Sequence, residues 1–218
     1  MPQVKICGNT RAEDAKLAIN LGVDYLGFIF APSKRKVSVE QAQNIISTLG
    51  SFKNIVGVFY NQPKDEVLDI LNATKIRIAQ FHGDETSRYC ESFEDKGISV
   101  IKSFHIKDAM SLKRIDEYNV QAFLFDTYSK DAAGGTGKTF DWNLIKDKPF
   151  ITDKLFLAGG LNPDNLKAAI EFVDPFAVDV ASGVESEPGI KNSEKLESFI
   201  KIAKSFDQNN AKESPIRS

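Results

Sequence analysis

The sequence is poor in cysteine and histidine, and it has no strong excess of either charge. Among 218 residues there are two cysteines and two histidines, with a net charge of −2. Two cysteines cannot build the disulfide framework of a small secreted domain, and two histidines leave little room for a histidine-rich metal centre. Near-neutral charge without a basic block argues against a nucleic-acid surface.

Long hydrophobic runs are also missing. The first residues, MPQVKICGN, contain no charged region followed by a long apolar core, and no apolar run approaches the roughly 20 residues that cross a bilayer. We therefore expect neither a secretory signal nor a membrane partner, and we predict that the protein is cytoplasmic. At 42% hydrophobic and 27% charged residues, the composition is that of an ordinary globular protein.

What the sequence does contain is a regular alternation of short β-rich apolar runs and amphipathic segments. Eight predicted strands cover 4–6, 25–30, 54–58, 76–80, 100–103, 122–126, 155–158 and 177–180. The predicted helices begin at Arg11, with Thr10 as N-cap, and then cover 39–49, 64–72, 86–93, 111–118, a short stretch after Asp141, 163–172 and 193–205. Alternating strands and helices indicate a parallel sheet with right-handed crossovers.

Eight strand–helix units of about 27 residues predict an α/β fold of one domain, a (β/α)8 TIM barrel. The barrel should span residues 1–206, followed by a polar, disordered tail at 207–218. The alternative is an open doubly wound sheet, for which a G-x-G-x-x-G motif would follow the first strand. Cys7-Gly8-Asn9-Thr10 stands there instead.

Polar and small residues follow the predicted strands, at the end of the barrel where such folds carry their sites. They include Cys7 after strand 1, Arg35 after strand 2, Gln80 and His82 at strand 4, Asp126 at strand 6 and Asp179 at strand 8. Gly159-Gly160 follows strand 7, and Ser182-Gly183 follows strand 8. Glycines at these two loops can present bare N–H groups to an anion, so they predict a phosphate site, although they could also simply form tight turns.

Cys7 and Asp126 are candidates for acid–base chemistry. Cys7 ends a buried strand, where a cysteine can be merely a small apolar residue, and it could act as a base only if its pKa fell towards neutrality. Asp126 ends an apolar run, so its carboxylate must be paired, hydrogen-bonded or functional. Strands 1 and 6 face each other across the barrel mouth, and one base with one acid suits a proton-transfer isomerase.

Two further patterns are only weak indications of a nucleotide site and of a metal site. Gly134-Gly135-Thr136-Gly137-Lys138 resembles part of a nucleotide-binding P-loop, but Ala132 stands where that motif needs a glycine, so we interpret it as a loop over the site. His82 and His105 fall on adjacent strand ends, yet spacing alone fixes no carboxylate partner for them. We therefore predict no metal.

Several of these motifs together, from Val4 to about Ile200, resemble the phosphoribosylanthranilate isomerase family of tryptophan biosynthesis. The motifs are Lys5-Ile6-Cys7-Gly8, Ser33-Lys34-Arg35, Gln80-Phe81-His82-Gly83, Phe125-Asp126-Thr127, 134–138, 157–161 and 179–185. The resemblance implies an Amadori rearrangement of N-(5-phosphoribosyl)anthranilate in a TIM barrel without cofactor or metal. The expected partner is thus a small phosphorylated aminosugar, and the chain is expected to be a monomer or a homodimer.

The resemblance also implies roles for individual residues. Asp126 would be the general acid and Cys7 the general base, and Arg35 would hold the anthranilate carboxylate. Gln80, His82 and Asp179 would contact the substrate, while Gly159, Gly160, Ser182 and Gly183 would bind the phosphate. The sequence departs from the family pattern at three positions, with Phe81 in place of leucine, Ala181 in place of a small hydroxyl residue and Asn192 in place of aspartate.

Two alternatives stay open at this point. Another phosphosugar barrel enzyme, such as a ribulose-phosphate epimerase, would be expected to use paired aspartates and a metal, which Cys7 disfavours. A non-catalytic phosphometabolite sensor would keep the phosphate site and lose the acid–base pair. Here the acid–base pair is intact, and the variation falls on the phosphate loop at Ala181.

Overall fold

The computed structural model describes residues 1–127, 141–145 and 149–206. The predicted loop around Gly134 and the predicted tail at 207–218 lie outside the described residues.

Eight parallel strands close into a barrel, as predicted. They are β1 (Gln3–Ile6), β2 (Tyr25–Ile29), β3 (Ile55–Phe59), β4 (Ile78–Phe81), β5 (Ser99–Ile106), β6 (Ala122–Thr127), β7 (Leu155–Leu157) and β8 (Ala177–Val180). Each strand pairs with the next along the chain, and β8 pairs with β1 to complete the ring. The doubly wound alternative is therefore wrong.

Helices alternate with these strands along the described chain. They are α1 (Ala12–Asn20), α2 (Val39–Ile46), α3 (Lys64–Thr74), α4 (Ser87–Glu94), α5 (Ala109–Leu112), α6 (Pro149–Thr152), α7 (Pro163–Val173) and α8 (Ser193–Lys204). At α2, α7 and α8, where Ser38, Asn162 and Asn192 cap the helix, the predicted start agrees with the structure. Asn162 caps α7, and Pro163 occupies its first turn.

Two predicted helix starts are wrong. Thr10 does not cap α1, because its hydroxyl instead donates a hydrogen bond to the carbonyl of Gly189, and Arg11 occupies the N-cap position. The helix predicted at 111–118 is a single turn, α5, which begins earlier because the Asp108 carboxylate accepts a hydrogen bond from the N–H of Ser111. A 3-10 turn (Ile115–Glu117) follows it.

The core has two layers because strand side chains alternate in direction. Outward-facing residues such as Val4 and Ile6 pack beneath the helices, whereas inward-facing ones fill the barrel. In the interior, the Phe156 ring makes edge contacts with Tyr25 and Phe176, at centroid distances of 5.3 and 5.6 Å. The lower barrel is therefore a packed core and not a pore.

A small hairpin after β8 was not predicted. A 3-10 turn (Ser182–Val184) leads into β9 (Glu185–Glu187), which pairs antiparallel with β10 (Ile190–Lys191). Gly189 forms the turn at φ +88°, a conformation that favours glycine. The hairpin places two charged side chains, Glu185 and Lys191, over the barrel mouth.

Among the described residues, no helix combines the length and apolar character needed to cross a bilayer.

The interior core predicts a large difference between two apolar truncations. Phe156→Ala should lower the free energy of unfolding by about 3–5 kcal/mol, because Phe156 is fully buried among aromatic rings. Met110→Ala is the control and should change it by less than about 0.5 kcal/mol, since Met110 is 63% exposed. Urea unfolding followed by circular dichroism measures both, and equal effects would contradict this description of the core.

Candidate active site

The carboxyl ends of the strands bring the predicted acid and base to one mouth. Cys7 follows β1 and is 5% exposed, while Asp126 lies in β6 and is partly exposed. Strand β6 is three places from β1 around the closed ring, so the two residues reach the mouth from nearly opposite sides.

Cys7 lies above a buried ion pair. Lys5 precedes it by two residues on the same face of β1, and the Lys5 Nζ lies 2.8 Å from the Asp179 Oδ1 of β8. Gly27 of β2 lies beside the sulfur, where an added Cβ would come within 2.8 Å of Sγ. Sequence motifs contain Lys5, but neither its pairing nor the need for glycine at position 27 could be inferred from them.

Burial raises the pKa of the Cys7 thiol above its usual value, although the positive charges of Lys5 and Lys191 act to lower it. This direction is opposite to the lowered pKa that the sequence analysis required of a thiolate base. Burial likewise disfavours the charged form of Lys5, but Asp179 and Cys7 outweigh that effect and raise the pKa of Lys5. The ion pair with Asp179 therefore favours the charged ammonium beneath Cys7.

Arg35 is held in a bidentate ion pair with Glu185 of the hairpin. Its Nε lies 2.8 Å from Oε1 and its Nη2 lies 2.6 Å from Oε2. Gly8, at φ +71°, lets the arginine stem pass close to the backbone, since an added Cβ would meet Arg35 Cδ at 2.6 Å. Burial opposes ionisation of Glu185, yet Arg35 and Lys191 outweigh it and lower the pKa of Glu185.

Lys191 connects this pair to Cys7. Its fully buried Nζ donates to the Cys7 carbonyl at 2.6 Å and to Glu185 Oε1 at 3.0 Å. Burial lowers the pKa of Lys191, and Glu185 opposes that change. Neither Glu185 nor Lys191 could be given a role from the sequence, because contacts between positions 35 and 185 or 7 and 191 leave no local signal.

On the other side of the mouth, Gln80, His82 and Asp126 form a chain of contacts. The Gln80 Nε2 lies 3.1 Å from the His82 Nδ1, and the His82 Nε2 lies 3.5 Å from the Asp126 Oδ2. His105, in register with Asp126 on β5, makes an edge contact with the His82 ring. The structure thus brings together three predicted site residues, one on β4, one directly after β4 and one on β6.

Lys102 fixes the loop that carries His82. Its buried Nζ donates to the carbonyls of Phe81 and Gly83 on either side of that histidine, at 3.2 and 2.6 Å. It also contacts the Glu85 carboxylate at 3.2 Å. Because these groups are buried and mutually satisfied, the His82 backbone is held firmly at the mouth.

The two predicted phosphate loops are close neighbours. Gly159 and Gly160 after β7 have φ values of +85° and +68°. At Gly183 after β8, an added Cβ would lie only 1.9 Å from the Leu161 carbonyl oxygen, so any side chain there would separate the loops. A cleft of about 470 Å³ lies beside the second of these loops, and its lining includes Ser182, Gly183 and Lys195 together with the carboxylates of Asp164 and Glu194.

Asn192, which stands where the family pattern has aspartate, still caps a helix. Its side-chain oxygen accepts a hydrogen bond from the N–H of Lys195 at 2.9 Å and caps α8, as an aspartate would. Asp179, expected to contact substrate, is bound to Lys5 as described above.

Comparison with known proteins agrees with this geometry. The sequence matches the family described as N-(5'phosphoribosyl)anthranilate (PRA) isomerase over residues 4–202. It is 47% identical to the N-(5'-phosphoribosyl)anthranilate isomerase of Thermoanaerobacter pseudethanolicus, covering 92% of this chain and 97% of that one. The phosphoribosyl anthranilate isomerase structure from Thermotoga maritima matches at a TM-score of 0.85 and 40% identity, over 94% of this chain and 100% of that chain.

A second similar solved structure contains a ligand. It is a phosphoribosyl anthranilate isomerase in complex with reduced 1-(o-carboxyphenylamino)-1-deoxyribulose 5-phosphate. It matches at a TM-score of 0.81 and 38% identity, over 94% of this chain and 100% of that chain.

The hairpin ion pairs predict a pH-dependent loss of stability. Glu185→Gln should lower the free energy of unfolding at pH 7 by about 3–5 kcal/mol, because it leaves Arg35 and Lys191 without their carboxylate. The pKa of Glu185 is lowered from 4.5, so its contribution is present above that pH and is lost as pH falls through the native value.

The difference between wild type and Glu185→Gln should therefore shrink in acid, as measured by urea unfolding at a series of pH values. Glu187→Gln, at an exposed position of the same hairpin, is the control and should have little effect. A constant difference across the acid range would contradict the ion-pair interpretation.

Proposed function

The chain belongs to the N-(5′-phosphoribosyl)anthranilate isomerase family, and on that premise we propose that Cys7 and Asp126 are the acid–base pair of its reaction. The protein is an isomerase of tryptophan biosynthesis. It converts N-(5-phosphoribosyl)anthranilate to 1-(2-carboxyphenylamino)-1-deoxyribulose 5-phosphate. The observation that supports the pair most directly is the position of both residues at one barrel mouth, on nearly opposite sides.

Asp126 acts first, as the general acid. It protonates the ribose ring oxygen, and the ring opens as the anthranilate nitrogen lone pair forms a protonated Schiff base at C1. The His82 Nε2, 3.5 Å from the carboxylate, is positioned to orient it, and Gln80 orients His82 in turn. In this proposal, Gln80 and His82 also provide polar contacts for the substrate hydroxyls.

Cys7 acts second, as the general base. Its thiolate removes the C2 proton to give an enolamine, which tautomerises to the ketone as C1 gains a proton. In the free protein, burial keeps the pKa of Cys7 high, but the positive Schiff base formed in the first step favours the thiolate. Lys5, held by Asp179, adds a second positive charge beneath the sulfur.

The remaining residues bind the two ends of the substrate. Glu185 engages the Nε and Nη2 of Arg35, so the edge at Nη1 is the one available to grip the anthranilate carboxylate. The amides of Gly159, Gly160, Ser182 and Gly183 bind the phosphate, a role that the close approach of the two loops supports. Ala181 contributes no hydroxyl to this site, so backbone amides carry the binding.

Three wider expectations complete the proposal. One catalytic barrel spans residues 1–206 and takes a small phosphorylated aminosugar, without cofactor. A reducing compartment, the cytoplasm, suits a mechanism in which Cys7 must stay unoxidised. The oligomeric state, monomer or homodimer, stays a prediction.

Removing either proton-transfer group should reduce turnover without unfolding the barrel. Cys7→Ala and Asp126→Asn are each expected to lower kcat about 10²–10⁴-fold, because each removes one general acid–base group. The assay follows the fluorescence of phosphoribosylanthranilate as it is consumed. Cys90→Ala is the matched control. Cys90 is the other buried free cysteine and lies in α4, away from the mouth, so this variant should leave kcat unchanged. Near wild-type turnover by both site variants would refute the assignment.

The state of Cys7 should also appear in the pH dependence. Because the base form is the thiolate and burial raises the pKa of Cys7 above its usual value, kcat/KM should increase with pH through the alkaline range. In a Cys90→Ala background, iodoacetamide should alkylate Cys7 along the same pH curve. Lys5→Met removes a charge that lowers this pKa, so both curves should move to higher pH. Alkylation of Cys7 without loss of activity would exclude its role.

A further inference from the structure

The two histidines of the sequence lie together at the barrel mouth, beside Asp126. The potential donor atoms of His82, His105 and Asp126 all lie within 4.8 Å of one another. We propose that these three side chains form a binding site for a divalent transition-metal ion of the zinc, cobalt and nickel class. The proposed isomerase reaction does not require this ion, although the site shares His82 and Asp126 with it.

The strand order holds the three donors close together. His105 on β5 is in direct register with Asp126 on β6, and His82 follows β4, the neighbour of β5 on its other side. In a tetrahedral site with bonds near 2.0–2.1 Å, donor atoms are about 3.3 Å apart. The His82 Nε2 and Asp126 Oδ2 are already 3.5 Å apart. His105 is exposed, and its donor atom already lies within 4.8 Å of the other two.

The donor set has the right chemistry for such an ion. Neutral imidazole binds zinc, nickel and copper well, and two histidines with one carboxylate leave coordination positions open. Magnesium, which prefers oxygen ligands in an octahedron, does not suit this set.

Gln80 provides the outer contact that such sites use. Its side chain is almost fully buried, its Nε2 lies 3.1 Å from the His82 Nδ1, and its Oε1 has no hydrogen-bond partner among the described residues. Rotating the amide by half a turn presents Oε1 to an Nδ1–H. That contact would fix the His82 tautomer whose Nε2 lone pair points towards Asp126, leaving Nε2 free to ligate.

Metal binding would inhibit turnover, an expectation that rests on the proposed function. A metal ion would hold Asp126 as a carboxylate and deny it the proton that it gives to the ribose ring oxygen. It would also occupy the space between Asp126 and His82. We therefore expect inhibition that is competitive with substrate and is reversed by a chelator.

The direct test is a cobalt(II) titration of the untagged full chain, followed by visible absorption and repeated with zinc in competition. We expect one equivalent to bind, with zinc displacing cobalt and magnesium having no effect. His105→Phe keeps the ring contact with His82 but removes a donor, so it should weaken metal binding at least about tenfold. His105→Gln is a second variant with the same expectation.

Cys7→Ser distinguishes this site from a thiolate site, and it should leave the cobalt affinity unchanged. No binding at millimolar cobalt would overturn the proposal, and so would binding that survives both His105 variants or disappears in Cys7→Ser. Binding that depends on His105 but leaves turnover unaffected would support the site and count against the acid role of Asp126. Loss of metal inhibition in a His105→Phe protein that still turns over substrate would support both.

Discussion

The closure of the sheet between β1 and β8 is the constraint on which the rest of the structure depends. Lys5 and Asp179 are register partners at that seam, and their side chains meet in a buried ion pair inside the barrel. A buried pair gains its energy only when the geometry is good, and breaking it leaves an uncompensated charge. A shifted register would separate these two charges, so the pair favours one closure and places a positive charge beneath Cys7.

Charged side chains of the hairpin add further ion pairs above Cys7. Lys191 neutralises Glu185 and grips the Cys7 carbonyl, while Glu185 orients Arg35. Cations thus surround Cys7 from below and from one side, and they act against the burial that raises its pKa. Without substrate, burial favours the protonated Cys7 thiol. When the cationic intermediate of the proposed reaction forms, its charge and those of the neighbouring lysines favour the thiolate.

The barrel could be predicted from sequence because its signals are local. Apolar runs such as 122–126 and capped starts such as Asn162-Pro163 mark their elements by neighbouring residues alone. The placement of Cys7 and Asp126 at one mouth followed from the parallel order of the strands. The contacts around Cys7 could not be predicted. Lys191 bonds to the Cys7 carbonyl, Glu185 to Arg35 and Asp179 to Lys5, each across more than a hundred positions, so that their pairing depends on register.

The hairpin makes the first and last parts of the barrel interdependent. Cys7 follows the first strand of the barrel, yet its carbonyl partner, Lys191, and the residue that orients Arg35, Glu185, lie in the hairpin after the last strand. A chain that has been synthesised only as far as β7 therefore carries the Cys7 thiol without the groups that complete its surroundings. Those surroundings are complete only once the hairpin has been synthesised and packs against Cys7.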